Sequence, residues 1–287
     1  MDEMREMEER SREQFEAQAV QKLETLKEIL GVFDKVAIAF SGGVDSAFLL
    51  TVARSVLGER AVAMTALLAA FPKREATAAQ KFCVERDIPW ISFPFDEFSI
   101  QAFKENPPDR CYHCKKAIFT KMREIALDQG YGVILEGTNA DDETALRPGF
   151  KALTELGIIS PLQGAKLTKE EIRFLSREMG LPTWDKKPQP CLASRIAYGD
   201  EIDLQKLEMV ERSEQLLLDL GFSTVRVRMH GTIARIEVGT DDFQKFTVQG
   251  IRERIVDTLK GFGFSYVTVD LKEYRAGSLH EALDVDL

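Results

Sequence analysis

Apolar residues along this 287-residue chain recur in two rhythms. Over 16–30, Val20, Leu23, Leu26 and Leu30 fall at helical spacing with Lys and Glu between them, which predicts an amphipathic helix with one face to bury. Val36-Ala37-Ile38-Ala39-Phe40 and the run 61–68 are instead short and continuous, the pattern of strands buried on both faces of a parallel sheet. Helical spacing returns between and after them, predicting helices that begin at Ala47, over 74–86, from near Cys111 to 129 and over 168–179, with further strands at 90–93 and 132–135. Strand and helix alternate, so an α/β arrangement follows: a parallel sheet with right-handed crossovers and helices on both faces.

Pro182, Pro188 and Pro190 mark a stretch that cannot be helical, and the pattern beyond it changes. A helix over 204–220, strands at 224–229 and 233–238, a helix over 242–259 and a strand at 265–271 describe a smaller α+β unit. Two domains are therefore expected, 1–198 and 199–287. From Thr224 to Val238 the alternation is strict, and Gly231-Thr232 suits a two-residue hairpin turn of type II′. Pairing across that turn sets Arg228 opposite Arg235 and Arg226 opposite Glu237. Val225, Val227, Met229, Ala234, Ile236 and Val238 then share the apolar face, while the other face gathers three arginines around one carboxylate. Facing like charges are destabilising unless something negative intervenes, so a phosphate is a natural partner; a solvated polar face is the plainer alternative.

Ligands of open parallel sheets bind at the carboxyl ends of the strands. Two segments there carry chemistry. Phe40 runs into Ser41-Gly42-Gly43-Val44-Asp45-Ser46 and then a helix, so paired glycines, outward-facing first-turn amides and two hydroxyls make an anion site. Asp45 beside phosphates calls for a divalent cation. Without a lysine the loop is not a Walker A motif, and without a third glycine it is not a dinucleotide fingerprint. The second segment is Leu135 into Glu136-Gly137-Thr138-Asn139-Ala140-Asp141-Asp142.

Cys111 and Cys114 stand three apart at a helix start, on one face and in the positive field of its N-terminus. With Cys191, in Gln189-Pro190-Cys191-Leu192-Ala193-Ser194-Arg195, they suffice to hold three irons of a 4Fe-4S cluster and leave the fourth open. Zinc would want a fourth ligand, for which His113 is badly placed. The alternative is that the pair is incidental and Cys191 acts alone. Cys83 falls on the apolar face of its helix and reads as core.

Composition narrows the field. Thirty-eight basic against 47 acidic residues give a net charge of −9, which disfavours extended nucleic-acid binding. No apolar run has membrane-spanning length, and the Glu- and Arg-rich start has no signal-peptide pattern, so a cytoplasmic protein without disulfides is expected.

The hexapeptide SGGVDS resembles the pyrophosphate loop of the N-type ATP pyrophosphatases. With residues 107–115 (PPDRCYHCK), 137–142 (GTNADD), 190–195 (PCLASR), the VRVR strand and Tyr274-Arg275-Ala276-Gly277-Ser278, nearly the whole chain resembles the LarE family of sulfur transferases. That resemblance implies an adenine nucleotide alpha-hydrolase-like domain that uses ATP and Mg²⁺ to adenylylate the carboxylate of a pyridinium mononucleotide. Sulfur then displaces AMP and leaves a thiocarboxylate, on the way to a nickel-pincer cofactor. Ser41 to Ser46 would cradle the pyrophosphate, Asp45 and Ser46 would serve catalysis, and Gly137, Asn139 and Asp142 would bound the adenosine side. Cys191 would give up its own sulfur or, with Cys111 and Cys114, hold a cluster that carries sulfide; the three thiols together favour the cluster. Arg226 and Arg228 would grip the substrate phosphate with Glu237 as their partner, and Arg195 would steady a thiolate or an acyl-adenylate oxygen. A homo-oligomer is also implied. Rival readings are a PP-loop tRNA thiolase or other PP-loop synthetase, and a nucleotide-sensing module without catalysis.

Overall fold

The computed structural model describes residues 2–142 and 148–275, with the backbone alone for 2–10. They form two compact units: one of residues up to 68, 73–95 and 111–189, the other of 69–72, 96–110 and the residues from 190 on.

The first unit is built on four parallel strands in the order β3-β2-β1-β4. In chain order it contains α1 (Asp2–Gly31), β1 (Val36–Ala39), α2 (Val44–Leu57), β2 (Ala61–Leu67), α3 (Lys73–Glu85) and β3 (Trp90–Pro94). A short α4 (Gln101–Glu105) belongs to the second unit. The first resumes with α5 (Arg110–Asp128), β4 (Val133–Leu135), α6 (Pro148–Glu155), α7 (Pro161–Gly164) and α8 (Lys169–Glu178). Because successive strand residues point to opposite faces, β1 feeds two cores. Val36 and Ile38 pack with Leu26, Leu30, Phe48 and Leu50, whereas Ala37 packs with Met64, Phe119, Met122 and Ile134. A sheet covered on both sides needs apolar residues at every position, which is why its strands read as continuous runs.

Helix α1 begins well before residue 16. Its first turns carry no apolar stripe, so no periodic signal marks them. Ala19, Leu23, Leu26 and Leu30 make its buried face, and Val20, expected there, lies on the flank at 50% exposure.

In the second unit α9 (Leu204–Asp219) precedes the antiparallel pair β5 (Val225–His230) and β6 (Ile233–Val238). Their register sets Arg228 against Arg235 and Arg226 against Glu237, as the alternation predicts. Gly231 takes φ 57° while Thr232 is outside the left-handed region, the signature of a type II′ turn. β7 (Tyr266–Val269) joins β6 in parallel. The helix expected over 242–259 is broken. A 3₁₀ segment, Thr240–Thr247, is followed by α10 (Ile251–Phe262), and Gly250 between them sits at φ 85°. Asp242 causes the early break, since its carboxylate accepts from Ser223 N at 2.7 Å and Ser223 Oγ at 2.9 Å and is tied to the turn before β5. Among the described residues no helix is long and apolar enough to cross a membrane.

Candidate functional site

In the first unit the glycine loop joins the carboxyl end of β1 to α2. Gly42 takes φ 69°, and a Cβ there would meet Ala79 Cβ of α3 at 3.2 Å, so the turn needs glycine on two counts. No side chain caps α2 at Gly43, and its first-turn amides keep their donors for a ligand. Ser41 Oγ and Ser46 Oγ stand 3.2 Å apart, and Ser46 Oγ donates back to Gly43 O at 3.3 Å. Lys186 Nζ reaches Gly42 O at 2.9 Å and Glu75 of α3 at 2.6 Å, bracing the loop from a second side.

The segment after β4 lies against this loop. A Cβ on Gly137 would approach Ser46 N to 3.1 Å and the Asp45 carbonyl carbon to 3.3 Å, so only glycine lets the two segments meet. Asn139, buried, donates from Nδ2 to Asp45 Oδ1 at 3.4 Å, and its own backbone N donates to Asp142 Oδ2 at 3.1 Å. Lys169 Nζ sits 2.6 Å from Asp45 Oδ2. Five residues named from sequence, Asp45, Ser46, Gly137, Asn139 and Asp142, are thus brought together, while Lys169, Lys186 and Glu75 join them unannounced. Sequence held one signal for Lys169. It opens α8 inside a Thr168-to-Glu171 capping box, a place where a cation opposes the helix dipole and so has work elsewhere. Carboxylate, hydroxyl and open amide groups are the hard donors that Mg²⁺ and a triphosphate take, and the residues fit both.

In the second unit Cys191 is exposed at the start of a 3₁₀ turn, Leu192–Arg195. The turn is clamped on every side. Leu192 N donates to Ala70 O at 2.9 Å, and Ala70 N in turn donates to buried Glu97 Oε1 at 2.7 Å. Desolvation raises the Glu97 carboxyl above its ordinary value. Arg110 Nη1 reaches Ala193 O at 3.2 Å and also bonds Asn106. Asn106, buried in a left-handed conformation, donates to Ala197 O at 2.6 Å.

Arg195 is fully buried and spans the turn. Nη1 donates to Pro190 O at 2.8 Å and Cys191 O at 3.1 Å, while Nε and Nη2 grip Glu214 at 2.8 and 3.0 Å. Glu214 also accepts from Val227 N at 3.1 Å. Breaking such a buried pair by removing one partner costs about 3–5 kcal/mol. The geometry therefore makes Arg195 the brace of the Cys191 turn, with its guanidinium already committed.

The arginine face of β5 and β6 answers part of its own charge. Glu237 accepts from Arg228 at 3.1 Å through both oxygens and from Arg235 at 3.0 Å, and Arg235 also meets Asp270 at 3.3 Å. Protein carboxylates, not an outside phosphate, thus relieve the Arg228 and Arg235 pair. Arg228 Nη1 also donates to Ser194 O at 2.7 Å, linking strand to cysteine turn. Arg226 is buried, donates to Val225 O at 2.6 Å and lies 4.8 Å from the Tyr274 ring centroid. Burial and the neighbouring Arg195 lower its proton affinity, the mark of a site with surplus positive charge.

Cys111 and Cys114 share the first turn of α5 in the first unit, and Cys191 belongs to the second. Among the described residues no three His, Cys, Asp or Glu side chains are grouped to hold a metal ion. The donor set does not present a cluster site, and no step is derived through one. Cys83 is buried as expected, and desolvation pushes its thiol up to about 11. Of the Tyr274-to-Ser278 motif, residues 276–278 lie outside the described residues.

No family model matches the chain. It is 40% identical over 267 residues to an uncharacterized protein of Synechocystis sp., covering 91% of this chain and 98% of the relative. It is 35% identical over 263 residues to the pyridinium-3,5-bisthiocarboxylic acid mononucleotide synthase of Lactiplantibacillus plantarum, covering 91% of this chain and 95% of that enzyme. A glutamine-hydrolyzing GMP synthase component of Thermoplasma acidophilum, from the PP-loop superfamily, is 27% identical over 64% of each chain.

Proposed function

Since the chain belongs to the LarE family, that of the pyridinium-3,5-bisthiocarboxylic acid mononucleotide synthase, we propose that it adenylylates a pyridinium mononucleotide carboxylate with ATP and converts it to a thiocarboxylate. The observation that carries the first half is the uncapped start of α2 with Asp45 beside it, closed by Gly137 and Asn139. A substrate carboxylate oxygen attacks the α-phosphorus, and the bond to the bridging oxygen breaks. Its electron pair leaves on pyrophosphate, which the loop amides and the Ser41 and Ser46 hydroxyls receive. Mg²⁺, when held at Asp45, offsets the charge of that leaving group.

For the second half, the Cys191 sulfur attacks the acyl carbon and expels AMP. Loss of the Cys191 α-proton with cleavage of its Cβ–S bond then leaves dehydroalanine in the chain and the thiocarboxylate on the substrate. Arg195 keeps the turn in place while the side chain reacts, and Arg226, with Arg228 and Glu237 beside it, holds the substrate phosphate. No separate base is needed to create the nucleophile's driving force, because adenylylation has already made a good leaving group. The fold, the thiol-bearing turn and the family relationship support sulfur transfer over the rival readings. A net charge of −9 weighs against a tRNA substrate.

The test is pyrophosphate release in Mg²⁺ and ATP. One pyrophosphate per carboxylate converted is expected, strictly dependent on the pyridinium mononucleotide. Release driven by tRNA instead, or none with any carboxylate, would refute the proposal.

A further inference from the structure

Lys169 lies 124 residues from Asp45 in sequence, yet its Nζ is 2.6 Å from Asp45 Oδ2. Its position is built from three sides. Thr168 and Glu171 cap α8 reciprocally, and Lys22 of α1 holds the same Glu171 carboxylate at 2.7 and 2.8 Å. The backbone N of Lys169 donates to Asp141 Oδ2 at 2.6 Å, which ties the start of α8 to the loop after β4. Asn139 of that loop reaches the other oxygen of Asp45. The side chains of Lys169 and Asp45 are 34% and 23% exposed, so solvent screens the pair and its contribution to folding is small. A lysine at the first position of a helix opposes the dipole. Neither helix formation nor stability accounts for it.

We infer that Lys169 is the cationic half of the triphosphate site, alternating between Asp45 and the phosphates. In the nucleotide-free protein the ammonium compensates Asp45. As ATP enters, Asp45 passes from the ammonium to the divalent cation that accompanies the nucleotide, and Lys169 turns its flexible stem toward the β and γ phosphate oxygens. Compensation of charge at Asp45 is kept throughout. Lys169 forms no covalent bond; it binds the phosphates and stays with the departing pyrophosphate. The loop lacks the lysine that a Walker A motif carries, and this residue supplies the equivalent point charge from a different helix.

The inference rests on the reading of the glycine loop as an ATP site, and the test separates the two. Wild type, Lys169→Met and Lys169→Arg are titrated calorimetrically with inorganic pyrophosphate and with AMP in the presence of Mg²⁺. Lys169→Met is expected to weaken pyrophosphate binding roughly 10- to 100-fold, the range of one charge-assisted hydrogen bond, and to leave AMP binding and the melting temperature unchanged. Lys169→Arg should recover most of the pyrophosphate affinity. Equal pyrophosphate affinity in wild type and Lys169→Met would overturn the inference, as would parallel loss of pyrophosphate and AMP binding with a lowered melting temperature. Absence of pyrophosphate binding in the wild type would remove the ATP reading and the inference together.

Discussion

Cys191→Ala is expected to lower thiocarboxylate formation to background, roughly a thousand-fold or more, because it deletes the reacting atom. Substrate-dependent formation of AMP and pyrophosphate should persist. The split is expected because nothing that shapes the turn depends on the thiol. Ser194 N, Ser194 Oγ and Arg195 Nη1 all donate to the backbone carbonyl of Cys191 at 3.0, 2.7 and 3.1 Å, and its φ of −46° and ψ of 135° suit alanine. A wild-type chain that has turned over once should lose one sulfur and two hydrogens by mass. Cys111→Ser and Cys114→Ser should leave that single turnover intact. Transfer by Cys191→Ala, or dependence of the first turnover on Cys111 and Cys114 together with bound iron, would refute the sulfur route.

The second large effect is at Arg226. Arg226→Ala is expected to weaken the pyridinium mononucleotide roughly 10- to 100-fold, the value of a charge-assisted hydrogen bond to phosphate, and to leave ATP affinity unchanged. Calorimetric titration of each ligand measures this. Burial and the nearby Arg195 already disfavour the charge on Arg226, so an anion drawn to it relieves the site. Arg228→Ala should behave differently, since that side chain also holds Ser194 O and its loss loosens the Cys191 turn. Transfer rate as well as substrate affinity should fall in Arg228→Ala, whereas Arg226→Ala should change affinity alone at saturating substrate. Equal losses for ATP and mononucleotide in Arg226→Ala would place the substrate phosphate elsewhere.

Much of the first unit was legible because burial leaves a simple imprint. β1 had to be apolar at each position to feed cores on both faces, and the glycine loop followed from the strand end and the helix start around it. The β5 and β6 register was equally plain, since period-two alternation and a two-residue turn fix it. What surrounds Cys191 was not legible. Its turn is held by Ala70, Glu97, Asn106 and Arg110, from two segments distant in sequence whose only local signal was an Asn-Pro-Pro break. Glu214 looked like one more polar residue of a helix, and only the fold shows it as the anchor of Arg195. The helix over 242–259 was overdrawn because Gly250 is compatible with helical spacing; its left-handed φ depends on tertiary ties that the pattern does not carry.

The account turns on an acyl-adenylate, and isotope transfer reads that intermediate directly. With the pyridinium carboxylate labelled in both oxygens with ¹⁸O, the AMP produced by the wild type in a single turnover should carry one labelled oxygen on its phosphate, in step with the thiocarboxylate formed. Unlabelled AMP accompanying thiocarboxylate would contradict it, because the carboxyl group would then have been sulfurated without passing through the adenylate.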